Sequence, residues 1–123
     1  MKTIGEGVIQ ELPKWRGRHD FSNLCNQFVA QLFRDINLPL SSVPLANQFQ
    51  TIREFATSSA PLFPGMVIQF IVDGPHGHAA IYLGDGQMMT TTSTSIRPLS
   101  TDPAKFGLPE GTIIRYLYYD PWR

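Results

Sequence analysis

Apolar positions switch from helical spacing in the first half of the chain to strand-like alternation in the second half. Over residues 22–35 they recur every three or four positions, which predicts an amphipathic helix capped by Ser22 or Asn23. A weaker pattern of the same period predicts a second helix over residues 45–56. The segment before the first helix is irregular, and only residues 7–10 (GVIQ) suggest a short edge strand.

The second half of the chain predicts an antiparallel sheet. A glycine-rich turn over residues 73–77 and the hairpin signal Gly84-Asp85-Gly86 separate strand-like segments. Residues 96–111 are rich in proline and glycine and are predicted to be an excursion from the sheet. Helices that precede an antiparallel sheet indicate an α+β fold, here with about four to six strands. The predicted strands cover residues 66–72, 78–83, 87–92 and 112–119.

Size and composition predict a single globular domain spanning residues 1–123. The chain is 42% hydrophobic and carries 10 basic and 10 acidic residues, so no net charge attracts it to nucleic acid. No apolar run approaches the roughly 20 residues that a membrane-spanning helix requires. The N-terminal residues do not resemble a Sec-type signal peptide.

The chain has one cysteine, Cys25, and it stands where the predicted first helix begins. A helix N-terminus lowers the pKa of a thiol, which favours the nucleophilic thiolate. A histidine, His78, opens the alternating strand some fifty residues later. An imidazole on a rigid strand can accept the thiol proton and return it later. The two residues therefore predict a cysteine nucleophile and its base.

Four blocks in this order resemble the NlpC-type cell-wall peptidases, small papain-like cysteine enzymes related to the CHAP amidases. The blocks are CNQFV at residues 25–29, LPLSS at 38–42 with Gln48, LFPGMVIQF at 62–70 and GHAAIYLGDGQ at 77–87. The resemblance covers roughly residues 20–92. It implies a papain-like NlpC-type fold, with N-terminal helices packed on an antiparallel sheet.

The resemblance also implies a catalytic set. Cys25 corresponds to the nucleophile and His78 to the general base, and the third position falls by register at Thr90, where histidine is common in the family. Gln69, on the neighbouring strand, is the alternative partner for the imidazole. The family usually has Asp-Cys-Ser at the nucleophile, whereas this chain has Leu24-Cys25-Asn26.

Other polar residues are open to more modest interpretations. His76 is expected to be a loop or rim residue, and His19 could line the cleft or donate to an oxyanion. Arg16, Arg18 and His19 form a small basic cluster, interpreted as a solvated loop or, less favoured, as a contact for an anionic substrate. One cysteine and three histidines lack the paired spacing of a zinc site, so neither a metal nor a cofactor is expected.

Cys25 and His78 predict a cysteine amidohydrolase, and the resemblance implies that it cuts an amide bond in peptidoglycan stem peptides. Its expected partners are the peptide substrate and a cognate inhibitor protein, without nucleic acid or membrane insertion. Delivery to the periplasm or cell wall is expected by a route other than Sec, such as secretion-system injection or phage lysis. The alternatives are an inactive binding domain on the same scaffold and a thiol hydrolase or acyltransferase with a substrate outside the wall.

Overall fold

The computed structural model describes residues 3–59, 61–72 and 77–120. Within them, six strands form one antiparallel sheet, and two α-helices precede it in the chain. The helices are α1 (Ile4–Glu11) and α2 (Cys25–Asp35), and the strands are β1 (Phe55–Thr57), β2 (Val67–Ile71), β3 (Gly77–Gly84), β4 (Gln87–Thr91), β5 (Ile96–Ser100) and β6 (Ile113–Tyr119). The predicted α+β class, with N-terminal helices and four to six antiparallel strands, is confirmed.

The spatial order of the sheet is β1-β6-β2-β3-β4-β5. Only β2 to β5 form a meander, and its last strand, β5, is not among the predicted strands. The last strand, β6, returns to pair with β2 on its free side, where Ile68 lies opposite Tyr116. The short β1 then pairs with the outer side of β6. The last strand therefore lies inside the sheet, with β1 beyond it.

The helices cover one face of the sheet. The apolar stripe of α2, which includes Phe28, Val29 and Leu32, is fully buried against it. Val8 and Leu12 extend this layer from α1 and the turn that follows. Burial of such side chains contributes about 1.5–3 kcal/mol each. This packing holds the start of α2 close to β3 and β4.

The opposite face of the sheet is also covered. Ile68, Phe70, Ala80 and Met88 form a second buried cluster there. The segment between β5 and β6 packs on this cluster through a 3₁₀ turn, Pro103–Phe106, and the residues after it. The central strands are therefore buried on both faces, which explains the nearly continuous apolar sequence of β2.

The first correction concerns residues 7–10, which are helical and form no edge strand. Thr3 caps α1, since its hydroxyl accepts a hydrogen bond from the Glu6 N–H at 3.1 Å. Threonine followed three residues later by glutamate is a capping-box signal. Val8 and Leu12, four residues apart, share the buried face. The four residues 7–10 are too few to show the spacing of an α-helix.

The second correction concerns residues 45–56, where the predicted helix is absent. A single 3₁₀ turn, Phe49–Thr51, is followed by β1, in which Phe55 pairs with Tyr119 of β6. Phe49, Ile52 and Phe55 are buried as expected, whereas Leu45 is 53% exposed. Apolar spacing of three residues also fits a 3₁₀ turn, so the periodicity alone was ambiguous.

The third correction concerns residues 96–111, whose first five residues form β5. Pro98 argued against a strand, because proline cannot donate to the ladder. β5 is an edge strand, and proline is tolerated there. In the predicted turn over residues 73–77, residues 73–76 lie outside the described residues. Gly77 already belongs to β3.

Candidate active site

The helix that carries Cys25 begins at that residue without a side-chain cap. Leu24 occupies the cap position and makes no capping hydrogen bond, so the expected Ser or Asn cap is wrong. Ser22 instead donates to the carbonyl of His19 at 2.7 Å, and Asn23 adopts a positive φ of 60°. The first N–H groups of α2 are therefore not bound by a cap and remain available to the thiol.

The thiol of Cys25 is partly buried, and its pKa is raised above the ordinary value of 9.0. Burial is the largest cause, because it disfavours the thiolate. Hydrogen bonds from the backbone N–H groups of Ala79, Asn26 and Cys25 act in the opposite direction. The N–H groups at the helix start lower the thiol pKa as expected, but burial raises it by more. The prediction of a lowered thiol pKa is therefore wrong.

The contact with Ala79 places the thiol against β3. The Ala79 N–H that donates to the sulfur belongs to the peptide joining Ala79 to His78. On the same residue, the carbonyl accepts a hydrogen bond from the Thr90 hydroxyl at 2.9 Å. Ala79 thus links the cysteine of α2, the histidine of β3 and the threonine of β4 through its own backbone.

The imidazole of His78 is held by Thr90, whose Oγ1 lies 2.5 Å from Nε2. Thr90 is fully buried, and its single hydroxyl hydrogen is donated to the Ala79 carbonyl. Towards the ring it can therefore only accept, which places the imidazole hydrogen on Nε2. Nδ1 is then the basic nitrogen, the state in which it can accept a proton.

The environment of His78 favours the neutral ring. Burial lowers the pKa of His78 to about 4. The aromatic rings of Phe70 and Phe106 lie against it, with centroids 6.1 and 5.7 Å from the imidazole. These apolar neighbours do not solvate the imidazolium. The direction of both pKa shifts therefore favours a neutral thiol and a neutral imidazole at neutral pH.

A cleft of about 420 Å³ opens beside His78. Its walls come from the ends of β3 and β4, from β5 and from the segment that carries Phe106. Cys25 is not among the described residues that line it. The lining residues are Gly77, His78, Thr91, Thr92, Ser93, Arg97, Leu99, Lys105, Phe106 and Leu108.

Gln69, the alternative partner for the imidazole, lies on the wrong face of the sheet. It pairs with Ala79, whereas Phe70 pairs with His78 and shares its face. The side chain of Gln69 is fully buried, and its Oε1 accepts a hydrogen bond from the Gln50 N–H at 3.2 Å. The prediction that Gln69 could replace Thr90 as the partner of the imidazole is therefore wrong.

The remaining polar candidates are engaged elsewhere or are not described. The Nδ1 of His19 is bonded to the Thr94 carbonyl at 2.7 Å, and His19 does not line the cleft. Arg18 lies over the ring of Trp15 and forms a salt bridge with Asp20 at 2.5 Å. His76 lies outside the described residues.

Sequence reasoning missed three residues that line the cleft with His78, namely Phe106, Arg97 and Lys105. All three lie in the segment interpreted as an excursion, and no local motif marks them. The signal that could have found Arg97 was the strand pattern of β5, which places it opposite Thr90.

The described part of the chain contains no cluster of three or more histidine, cysteine, aspartate or glutamate residues that could hold a metal ion. Within the same residues, no helix is both long and apolar enough to cross a membrane.

No protein-family model matches the sequence, and no curated protein matches it significantly. Two solved structures from Mycobacterium tuberculosis are similar in fold. RipD, described as a non-catalytic NlpC/p60 domain protein adapted to peptidoglycan binding, superposes with a TM-score of 0.65 at 16% identity, over 95% of this chain and 97% of its own. Rv1477, a hypothetical invasion protein, gives a TM-score of 0.65 at 20% identity, over 94% of this chain and 62% of its own. The chain therefore has the fold of an NlpC/p60 domain.

Proposed function

We propose that the chain is a cysteine amidohydrolase that cuts an amide bond in peptidoglycan stem peptides. One observation carries the proposal: the backbone of Ala79 joins the Cys25 thiol to the strand of His78, and Thr90 fixes the ring of that histidine. A purely structural cysteine needs no imidazole of defined tautomer nearby. The peptidoglycan substrate is supported by the fold that the chain shares with RipD.

The first half of the reaction acylates the enzyme. Nδ1 of His78 takes the proton of the Cys25 thiol as the sulfur attacks the amide carbonyl. The N–H groups at the uncapped start of α2 stabilise the negative charge that develops on the carbonyl oxygen. The C–N bond then breaks, and His78 gives its proton to the departing amine.

The second half restores the thiol. His78, again neutral, takes a proton from a water molecule that attacks the thioester carbonyl. The C–S bond breaks, the acid product leaves, and the proton returns to the sulfur. Throughout, Thr90 accepts the Nε2 hydrogen and leaves Nδ1 as the basic nitrogen. Thr90 is neutral, so it orients the ring but stabilises the imidazolium less than a carboxylate does.

The test is digestion of purified peptidoglycan by the wild type and by Cys25→Ala, with the products analysed by mass spectrometry. We expect new fragments from the wild type alone, and their masses identify the bond that is cut. His78→Gln is the second variant, since glutamine retains a polar side chain but cannot act as the base. Walls of several chemotypes left intact by the wild type would contradict the proposal.

The second candidate is a peptidoglycan-binding domain without catalysis. Three features favour it: Cys25 does not line the cleft, burial disfavours its thiolate, and RipD with the same fold is described as non-catalytic. The same digestion separates the two candidates when it is combined with a sedimentation assay on insoluble wall. Wall binding by wild type and Cys25→Ala, without fragments from either, would establish the binding function.

A further inference from the structure

Residues 42–48 lie between α2 and β1 and form neither helix nor strand. The chain is fixed to the sheet on both sides of this segment. Before it, the N–H and the hydroxyl of Ser41 donate to the carboxylate of Glu54, the residue that precedes β1. After it, the N–H of Gln50 donates to Oε1 of Gln69 in β2 at 3.2 Å. The segment is therefore a strap held at its two ends.

The strap touches the two elements between which the Cys25 thiol is held. In the first turn of α2, the side-chain amide of Asn26 donates to the Pro44 carbonyl at 3.1 Å. At the start of β3, a Cβ added to Gly77 would lie 2.5 Å from Cβ of Asn47 and 3.2 Å from its nitrogen. Since the sulfur accepts N–H groups from both α2 and β3, the strap crosses the gap that contains it.

The strap is held down by few buried groups. Pro44 is its only buried residue, and Ala46 packs partly buried on the same core cluster as Cys25. On either side of Pro44, Val43 is 57% exposed and Leu45 is 53% exposed. A segment with little buried apolar surface opens locally at a low free-energy cost, without unfolding of the domain.

Substrate must reach the thiol for the reaction to begin. Cys25 is partly buried, and it is not among the described residues that line the cleft beside His78. The attacked carbonyl carbon has to come within about 3–3.5 Å of the sulfur. We propose that residues 42–48 form a lid over Cys25, latched by the hydrogen bond from Asn26 to Pro44, which opens to admit the peptide. The proposal rests on the function proposed above.

The experiment measures the rate at which iodoacetamide alkylates Cys25 in the wild type and in Asn26→Ala, over a range of pH. Loss of one hydrogen bond of ordinary net strength should raise the open fraction, and with it the rate, by about 2- to 12-fold. The alanine variant retains the N–H that donates to the sulfur. We therefore expect the same factor at every pH, with an unchanged midpoint. A shifted midpoint without a higher limiting rate would indicate a change in thiolate stability and overturn the latch.

Gly77→Ala disturbs the lid at its other contact and leaves Asn26 intact, because the added Cβ would collide with Asn47. We expect it to accelerate alkylation as well. The matched control is Gln31→Ala, which removes an amide hydrogen bond of the same helix, to Asp35 at 2.8 Å, away from the lid. Its alkylation rate should equal that of the wild type, and an acceleration as large as that of Asn26→Ala would overturn the proposal.

Urea separates opening of the lid from unfolding of the domain. Local opening exposes little surface, so the alkylation rate should be almost independent of urea at low concentrations. A steep dependence, equal to that of global unfolding, would overturn the lid, as would unchanged rates in both Asn26→Ala and Gly77→Ala. Alkylation that follows the expected pattern, in a protein that leaves peptidoglycan intact, would retain the lid and reject only the amidohydrolase.

Discussion

The Oγ1 atom of Thr90 lies 2.5 Å from Nε2 of His78 and donates its only hydrogen elsewhere, to the Ala79 carbonyl. This pair of bonds determines which imidazole nitrogen carries the hydrogen. In the proposed function, the neutral threonine orients the imidazole as a carboxylate or amide does in cysteine hydrolases, but it does not stabilise the imidazolium electrostatically as a carboxylate does.

Thr90→Val should lower kcat by about 10- to 100-fold, the range found when a partner that orients a metal-bound histidine is removed. The substitution also removes the hydrogen bond from the hydroxyl to the Ala79 carbonyl, at a cost of about 0.5–1.5 kcal/mol in stability. Thr90→Ser retains the hydroxyl and should restore most of the activity. Nitrogen chemical shifts of the His78 ring measure the tautomer directly. An unchanged tautomer in Thr90→Val would contradict the orienting role.

Thr91→Val is the matched structural control. Thr91 is 4% exposed, and its buried Oγ1 has no hydrogen-bond partner among the described residues. Replacing an unsatisfied buried hydroxyl by a methyl group of similar shape should be neutral or raise the free energy of unfolding by about 1 kcal/mol. Chemical denaturation of both variants gives the comparison. A loss of stability as large as that of Thr90→Val would indicate a partner for the Thr91 hydroxyl.

The stability of the protein should fall between pH 6.5 and pH 4 because of His78. Its folded pKa of about 4 lies below the ordinary 6.5, so the unfolded chain binds a proton over this interval while the folded chain does not. The contribution is therefore fully present above pH 6.5 and is lost as the pH falls to 4, by up to about 3 kcal/mol.

Urea denaturation of the wild type and of His78→Gln, at several pH values over this interval, isolates the histidine from the carboxylates. The difference between the two curves should grow in favour of the variant as the pH falls. Parallel curves would mean that His78 titrates normally in the folded protein.

Alkylation of Cys25 by iodoacetamide should be slow at pH 6 and should accelerate up to and beyond pH 9, because burial raises the thiol pKa above its ordinary value. The chain has no other cysteine, so mass spectrometry follows this residue without background, and Cys25→Ser provides the blank. A rate that is already maximal below pH 7 would show a resting thiolate–imidazolium pair and reject the neutral resting state.

Gly77→Ala should destabilise the protein by about 1–3 kcal/mol, the usual cost of overpacking. A Cβ at Gly77 would lie 2.5 Å from the Cβ of Asn47 and 2.9 Å from the carbonyl oxygen of Phe70, so the loop over the start of β3 must move. Because Gly77 precedes His78, we also expect weaker activity. Thermal denaturation and the peptidoglycan assay measure the two effects.

The control for this substitution is Gly7→Ala in α1. A Cβ there meets nothing within 4 Å, and alanine is the better helix former, so stability should rise by about 0.5–1 kcal/mol. Equal effects of the two substitutions would show that close packing at Gly77 is not the cause.

The spacing of apolar residues by itself determined α2, the hairpin of β3 and β4, and the α+β class. These elements are long or strongly patterned, and their turns carry glycine at the required positions. The same spacing was ambiguous where elements are short. Phe49, Ile52 and Phe55 fit a helix as well as a 3₁₀ turn and a strand, and only pairing with β6 decides between them.

Cys25 and His78 stood out in the sequence because of their residue types and their positions at element starts, and family register suggested Thr90. Only the tertiary structure decided how these residues interact. At Cys25, burial raises the thiol pKa more than the N–H groups at the helix start lower it. Thr90 donates its single hydroxyl hydrogen to the Ala79 carbonyl. The placement of Arg97 opposite Thr90 likewise depends on strand pairing. A pKa, a tautomer and a cross-strand neighbour all depend on atoms distant in the chain, and a local pattern does not contain them.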